Sequence, residues 1–109
     1  MMLTTLLLST ALAASTPSDQ EVYLEGCVNG GDTEAVCLCT LNHLQRSYTP
    51  SEFQLTMAMM VAGMTGDKKR TADLVKLFGG DLEAFSSFAR DGRSVLDKAF
   101  IGCRQEEME

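Results

Sequence analysis

Residues 34–48 read EAVCLCTLNHLQRSY and place Cys37 and Cys39 within a single helical turn. At 3.6 residues per turn, positions i and i+2 sit about 200° apart, so the two sulfurs must face different neighbours. One line, Cys37-Leu41-Leu44-Tyr48, runs at i, i+4, i+7 and i+11; a second, Val36-Cys39-His43, climbs another side. The pattern predicts a helix over 34–48 with apolar residues on two sides, which makes it central rather than a lid on a core. It is the post to which an earlier helix, through Cys27, and a later one, through Cys103, are tied.

Working outward, the N-terminal neighbour is a helix over Asp19–Asn29. Ser18 with Glu21 three residues on is a capping pattern, and Pro17 keeps the chain non-helical just before it. Tyr23, Leu24, Cys27 and Val28 form its buried stripe. Gly30-Gly31 ends it, and Asp32 or Thr33 caps the central helix. So short a connection makes an antiparallel helical hairpin.

On the other side, Thr49-Pro50-Ser51-Glu52 combines an N-cap, a proline at the first helical position and an acid at the third. Phe53, Met57, Met60, Val61 and Met64 follow at helical spacing as far as Thr65-Gly66-Asp67. A fourth helix starts near Lys68, carries Leu74, Val75, Leu77 and Phe78, and stops at Gly79-Gly80. Asp81 caps a short fifth, with Leu82, Phe85 and Phe88 inward and Asp91-Gly92 closing it. Ser94 with Asp97 caps a last helix whose Leu96, Ala99, Phe100 and Cys103 share a face, and the acidic tail Gln105–Glu109 is expected to fray. Nothing alternates in the strand manner over more than a few residues. The expected fold is all-α, a small disulfide-stapled bundle of five or six short helices.

Met1–Ala14 is an uncharged run of mostly Leu, Ala and Thr ending in Ala11-Leu12-Ala13. Too short to span a bilayer, it reads as a secretory signal peptide, although it lacks the usual Lys or Arg near its start. Residues 15–109 are then one helical domain with no integral membrane span, exported to the periplasm or the extracellular space. An exported chain with four cysteines reads as two structural disulfides. Cys27 lies about a turn before the glycines and Cys37 about one and a half turns after them, so antiparallel neighbours at matched heights can meet. Cys27–Cys37 with Cys39–Cys103 is therefore favoured, and Cys27–Cys39 with Cys37–Cys103 is the next choice.

The formal net charge of −6 disfavours nucleic acid and anionic membranes as partners. Enzymatic motifs are thin: one histidine, no Gly-rich phosphate loop, no G-x-S-x-G and no H-E-x-x-H. No catalytic residue and no cofactor is expected. Cys39 and His43 are i and i+4 and, with the thioethers of Met57, Met60 and Met64, could suit Cu(I). Against that, the methionines coincide with the core stripe and Cys39 would have to be reduced, so no metal is favoured. Lys68-Lys69-Arg70 is the only basic run and is badly placed for the helix dipole, which marks it as a candidate docking patch. The expectation is a non-catalytic module that binds another exported protein, as an inhibitor, immunity or accessory subunit does. The alternative is a carrier holding an apolar ligand or Cu(I) in a Met/Phe-lined bundle.

Overall fold

Every helix start in the structure is made by a side-chain oxygen that accepts from backbone N–H groups of the first turn. The computed structural model describes residues 18–108, which form five helices; the leader assigned to Met1–Ala14 lies outside the described residues. Ser18 opens α1 (Asp19–Asn29) by accepting from Glu21 N at 3.2 Å. Thr33 opens α2 (Glu34–Ser47) by accepting from Val36 N at 3.2 Å. Thr49 and Glu52 form a full capping box at the head of α3 (Pro50–Thr65), with bonds of 3.3 and 3.0 Å. Asp67 starts α4 (Lys68–Lys76), accepting from Arg70 N at 3.0 Å, after Gly66 has reversed the chain at φ +68°. Asp81 starts α5 (Leu82–Met108), accepting from Glu83 N and Ala84 N. All five caps are local, and all five fall where turn and cap residues cluster in the sequence.

α2 is the centre. It lies along α5 and α1, while α3 packs on α1 and also touches α2 and α5; α4 leans on α3. The core is Tyr23, Leu41, Leu44, Phe53 and Met57, ringed by Leu24, Tyr48, Met60, Val95 and Leu96. Thr40 is fully buried yet satisfied: its hydroxyl donates to Cys37 O at 2.8 Å and, with that proton committed, accepts from the Tyr23 phenol. Burial holds the Tyr23 phenol above the usual tyrosine range, and the Thr40 hydrogen bond offsets only part of that.

The two sulfurs of α2 go opposite ways. Cys27 is bonded to Cys37 and Cys39 to Cys103, with Cα–Cα distances of 6.0 and 5.9 Å. The first staples α1 to α2 and the second staples α2 to the far end of α5, and no cysteine among the described residues is free. Two disulfides imply an oxidising compartment, and no helix among the described residues is long and apolar enough to cross a membrane.

Three expectations need correction. Asp91-Gly92 does not end a helix: α5 runs unbroken for 27 residues, about 40 Å. The reason is phase. Phe85, Phe88, Gly92, Leu96, Ala99 and Cys103 follow one another at i, i+3, i+7, i+11, i+14 and i+18, a single stripe through the glycine. Packing along that stripe outweighs the roughly 1 kcal/mol that an internal glycine costs. Second, two residues expected to face inward are exposed: Leu82 at 67%, in a first turn of α5 that is exposed throughout, and Val28 of the α1 stripe at 43%. Third, the tail does not fray before Met108. Thr33 Oγ1 donates to the Glu107 carboxylate at 2.8 Å, and Arg104 donates to both Asp32 oxygens at 2.9 Å while stacking on Phe100. The guanidinium holds the Asp32 carboxyl below the usual carboxylate range. A carboxyl depressed in the folded state contributes stability above its unfolded pKa and loses it as pH falls through the lower folded value, so this tie weakens only in acid.

Two outcomes are expected. Removing the long bridge as Cys39→Ser/Cys103→Ser should lower stability more than removing the short one as Cys27→Ser/Cys37→Ser. Chain entropy gives about 4.3 kcal/mol against about 2.8 kcal/mol, and urea unfolding of the two variants measures the gap. Gly92→Ala should stabilise the protein by up to about 1 kcal/mol, since helix propensity improves. An added Cβ there would meet Tyr48 Oη at 3.5 Å and Thr56 Cγ2 at 3.6 Å, ordinary contact distances. A lower melting temperature for that variant would show that the helix crossing tolerates only glycine.

Candidate functional site

A cleft of about 510 Å³ lies between α3 and α5, floored by Tyr23 of α1 and by Thr56. Helical spacing on α3 brings Met60, Gly63 and Met64 to one wall; Phe88, Gly92 and Leu96, one stripe of α5, make the other. The glycines matter to its depth. A Cβ on Gly63 would have no heavy atom within 4 Å, so the wall is low and open at that point. Met64 arches over Gly26 of α1, where a Cβ would come within 2.2 Å of its methyl; it is 48% exposed, an end of the cleft built from a flexible side chain.

Two polar features interrupt the apolar lining. Thr56 is buried and its Oγ1 has no hydrogen-bond partner. The Tyr48 phenol, pushed up chiefly by burial, lies close enough for Thr56 to counter part of that shift, yet the two hydroxyls do not meet in hydrogen-bond geometry. Arg93 stands exposed at the cleft edge and forms no ion pair among the described residues. Phe88 continues the apolar surface into a pile of rings: Phe78 lies 5.6 Å from both Phe85 and Phe88, and Tyr48 lies 6.3 Å from Phe88. The cleft offers apolar area and one cation, with the unpaired Thr56 hydroxyl buried beneath its floor. It suits binding.

No family model, no curated protein and no solved structure matches this chain.

The residues singled out from sequence fall in three places. Met57 is core, whereas Met60 and Met64 line the cleft, so the methionine stripe splits between packing and surface. Cys39 and His43 stand instead with Cys103, their ligand atoms within 4.8 Å of one another, while Met60 and Met64 line a cleft to which none of those three residues contributes. Of the basic run, Lys68 and Lys69 are exposed at the head of α4, but Arg70 is turned back onto α1. Its two terminal nitrogens donate to the two Asp19 oxygens at 2.8 and 2.6 Å, a bidentate pair that bolts α4 to α1. That pairing accounts for the arginine, and it joins residues 51 apart, beyond the reach of local pattern. Sequence reasoning missed Thr56, Gly92 and Arg93. Gly92 was findable from the unbroken stripe; Thr56 and Arg93 carry no signal before the helices are crossed.

Thr56→Val is the direct test of the floor. If the hydroxyl is desolvated and unpaired, the valine removes a penalty and the protein should gain about 1 kcal/mol in urea unfolding. A loss of similar size would show that Thr56 and Tyr48 share a hydrogen bond in solution.

Proposed function

We propose that the protein is a non-catalytic, exported binding module that takes an apolar helical segment of another exported protein into the α3/α5 cleft. The carrying observation is the cleft itself: apolar on both walls, open at Gly63 and ended by the flexible side chain of Met64. A groove between two helices accepts an amphipathic helix by its apolar face, anchored at i, i+3, i+4 and i+7. Methionines suit that role because an unbranched thioether reshapes to the side chain presented to it. Arg93 at the edge favours an occupant with an acidic residue flanking its apolar face. The titratable groups of the lining are Tyr23, whose hydroxyl is committed to Thr40, and Arg93; neither is a nucleophile or a base near neutral pH. Lys68 and Lys69 form a second, smaller attraction for an acidic partner.

One observation favours a second reading. A volume of about 510 Å³ also falls within the range of small-molecule pockets, roughly 300–1,000 Å³. A single-chain amphiphile could lie along the methionines with its acid on Arg93, which would make the protein a carrier.

A photoreactive benzoyl-phenylalanine in place of Met60 separates the two readings. Irradiated in the compartment where the protein resides, it should yield a peptide adduct identified by mass spectrometry. Gly63→Trp, which fills the cleft without touching the core, should abolish that adduct, and the same probe in place of Leu77 should not form it. A lipid adduct at position 60 would select the carrier. No cleft-dependent adduct of either kind would remove the cleft from consideration.

A further inference from the structure

The Cys39–Cys103 bridge is the one disulfide with further ligand side chains beside it. His43, one turn on from Cys39 along α2, brings a ring nitrogen into a group in which that nitrogen and both sulfurs lie within 4.8 Å of one another. Glu106, one turn on from Cys103 along α5, places Oε2 3.7 Å from the Cys39 sulfur. The four residues thus form two helical pairs, i and i+4 on α2 facing i and i+3 on α5. Among the described residues no third donor of this kind accompanies Cys27 and Cys37. His43 and Cys39 are only half-buried, so solvent reaches the group, while Cys103 is held at its inner side.

We propose that reduction of Cys39–Cys103 converts this corner into a zinc site with Cys39, Cys103 and His43 as ligands and the Glu106 carboxylate as the fourth. The redox step is a thiol–disulfide exchange. Two equivalents of an external thiol are oxidised to their disulfide, the S–S bond takes up two electrons and two protons, and Cys39 and Cys103 become thiols. Zinc then displaces a proton from each thiol and forms two Zn–S bonds, with the neutral imidazole and the carboxylate completing the set. Two sulfurs, one nitrogen and one oxygen are a donor set that Zn2+ accepts in tetrahedral geometry. Zn–S bonds near 2.3 Å place two tetrahedral sulfurs about 3.8 Å apart. The two sulfurs and the imidazole nitrogen already lie within 4.8 Å of one another, so side-chain motion suffices to gather those three once the S–S bond opens, and the Glu106 side chain, 3.7 Å from the Cys39 sulfur, turns in as the fourth. The metal would restore the α2–α5 tether that reduction removes.

The test uses the full protein treated with a phosphine, which reduces a disulfide to two thiols and is itself oxidised to its oxide with the oxygen of water. Co2+ serves as the spectroscopic stand-in, followed by competition with Zn2+ and by circular dichroism. The expected result is one Co2+ per chain, with a sulfur-to-metal charge-transfer band and the intense visible bands of tetrahedral cobalt, all displaced by Zn2+. His43→Ala, at a half-exposed position that leaves the oxidised fold intact, should weaken the affinity at least about tenfold, and Glu106→Gln should weaken it less. Cys27→Ser/Cys37→Ser should keep the spectrum. The phosphine-treated protein should regain helicity or melting temperature on adding Zn2+, and the His43→Ala variant should not. The proposal is overturned if the reduced native protein neither binds Co2+ nor responds to Zn2+. It is equally overturned if His43→Ala binds with unchanged affinity, or if the bands require Cys27 and Cys37.

Discussion

Everything in this molecule depends on two sulfurs leaving one turn of α2 in opposite directions. Because Cys37 and Cys39 are i and i+2, neither can serve the other's partner without rotating the helix. α1 and α5 are therefore fixed to α2 from different sides. The two bridges together remove about 7 kcal/mol of chain entropy from the unfolded state, as large as the whole stability of many small domains. α3 and α4 have no such staple. Phe53 and Met57 set α3 into the core, and α4 hangs on Leu74 and on the Arg70–Asp19 pair, which at this exposure is worth about 1 kcal/mol at most. The protein divides into a stapled half and a merely packed half.

The cleft lies on the seam between those halves. Its α5 wall is anchored at both ends, by the ring pile of Phe78, Phe85 and Phe88 and by Cys103. Its α3 wall is held by packing and ends in Met64, whose half-exposed side chain lies over Gly26. A rigid wall facing an adjustable one suits an occupant whose side chains vary, since only the adjustable side needs to repack. The same asymmetry accounts for leaving a hydroxyl such as Thr56 without a partner at the seam, where the gap between helices is set by neither of them alone.

How much of this was legible in the sequence follows from the range of each interaction. Caps, turns and the hairpin bridge are decided within about ten residues: Ser18, Thr49 and Asp81 read directly as caps, Thr33 as one of two candidates with Asp32, and Asp67 as part of the break before α4. The long bridge was reachable by elimination once the hairpin was drawn. Asp91-Gly92 misled because glycine after aspartate is a local stop signal, whereas the evidence for continuity is a stripe spanning 18 residues on either side of it taken together. The basic run misled in part for the same reason: Lys68 and Lys69 are as exposed as they read, but the counter-charge of Arg70 sits on another helix. The cleft was legible only as a surplus of methionine on α3. Its depth and its floor depend on the crossing of α3 with α5, and no pattern within either helix specifies that.

The continuity of α5 links the redox corner to the cleft. Gly92 and Cys103 are on one unbroken helix, eleven residues or about 16 Å apart, with no proline, bulge or cap between them to absorb motion. Through Cys103 the same helix is tied to Cys39 of α2, so the wall formed by Phe88, Gly92 and Leu96 belongs to an element that is covalently fixed to the centre of the fold. Opening that bridge would leave α5 held to α2 by packing and by the Arg104–Asp32 pair. A metal held between the same two cysteines would join α2 and α5 at the same points as the disulfide, so the wall of the cleft is tethered through one place on the helix in either case.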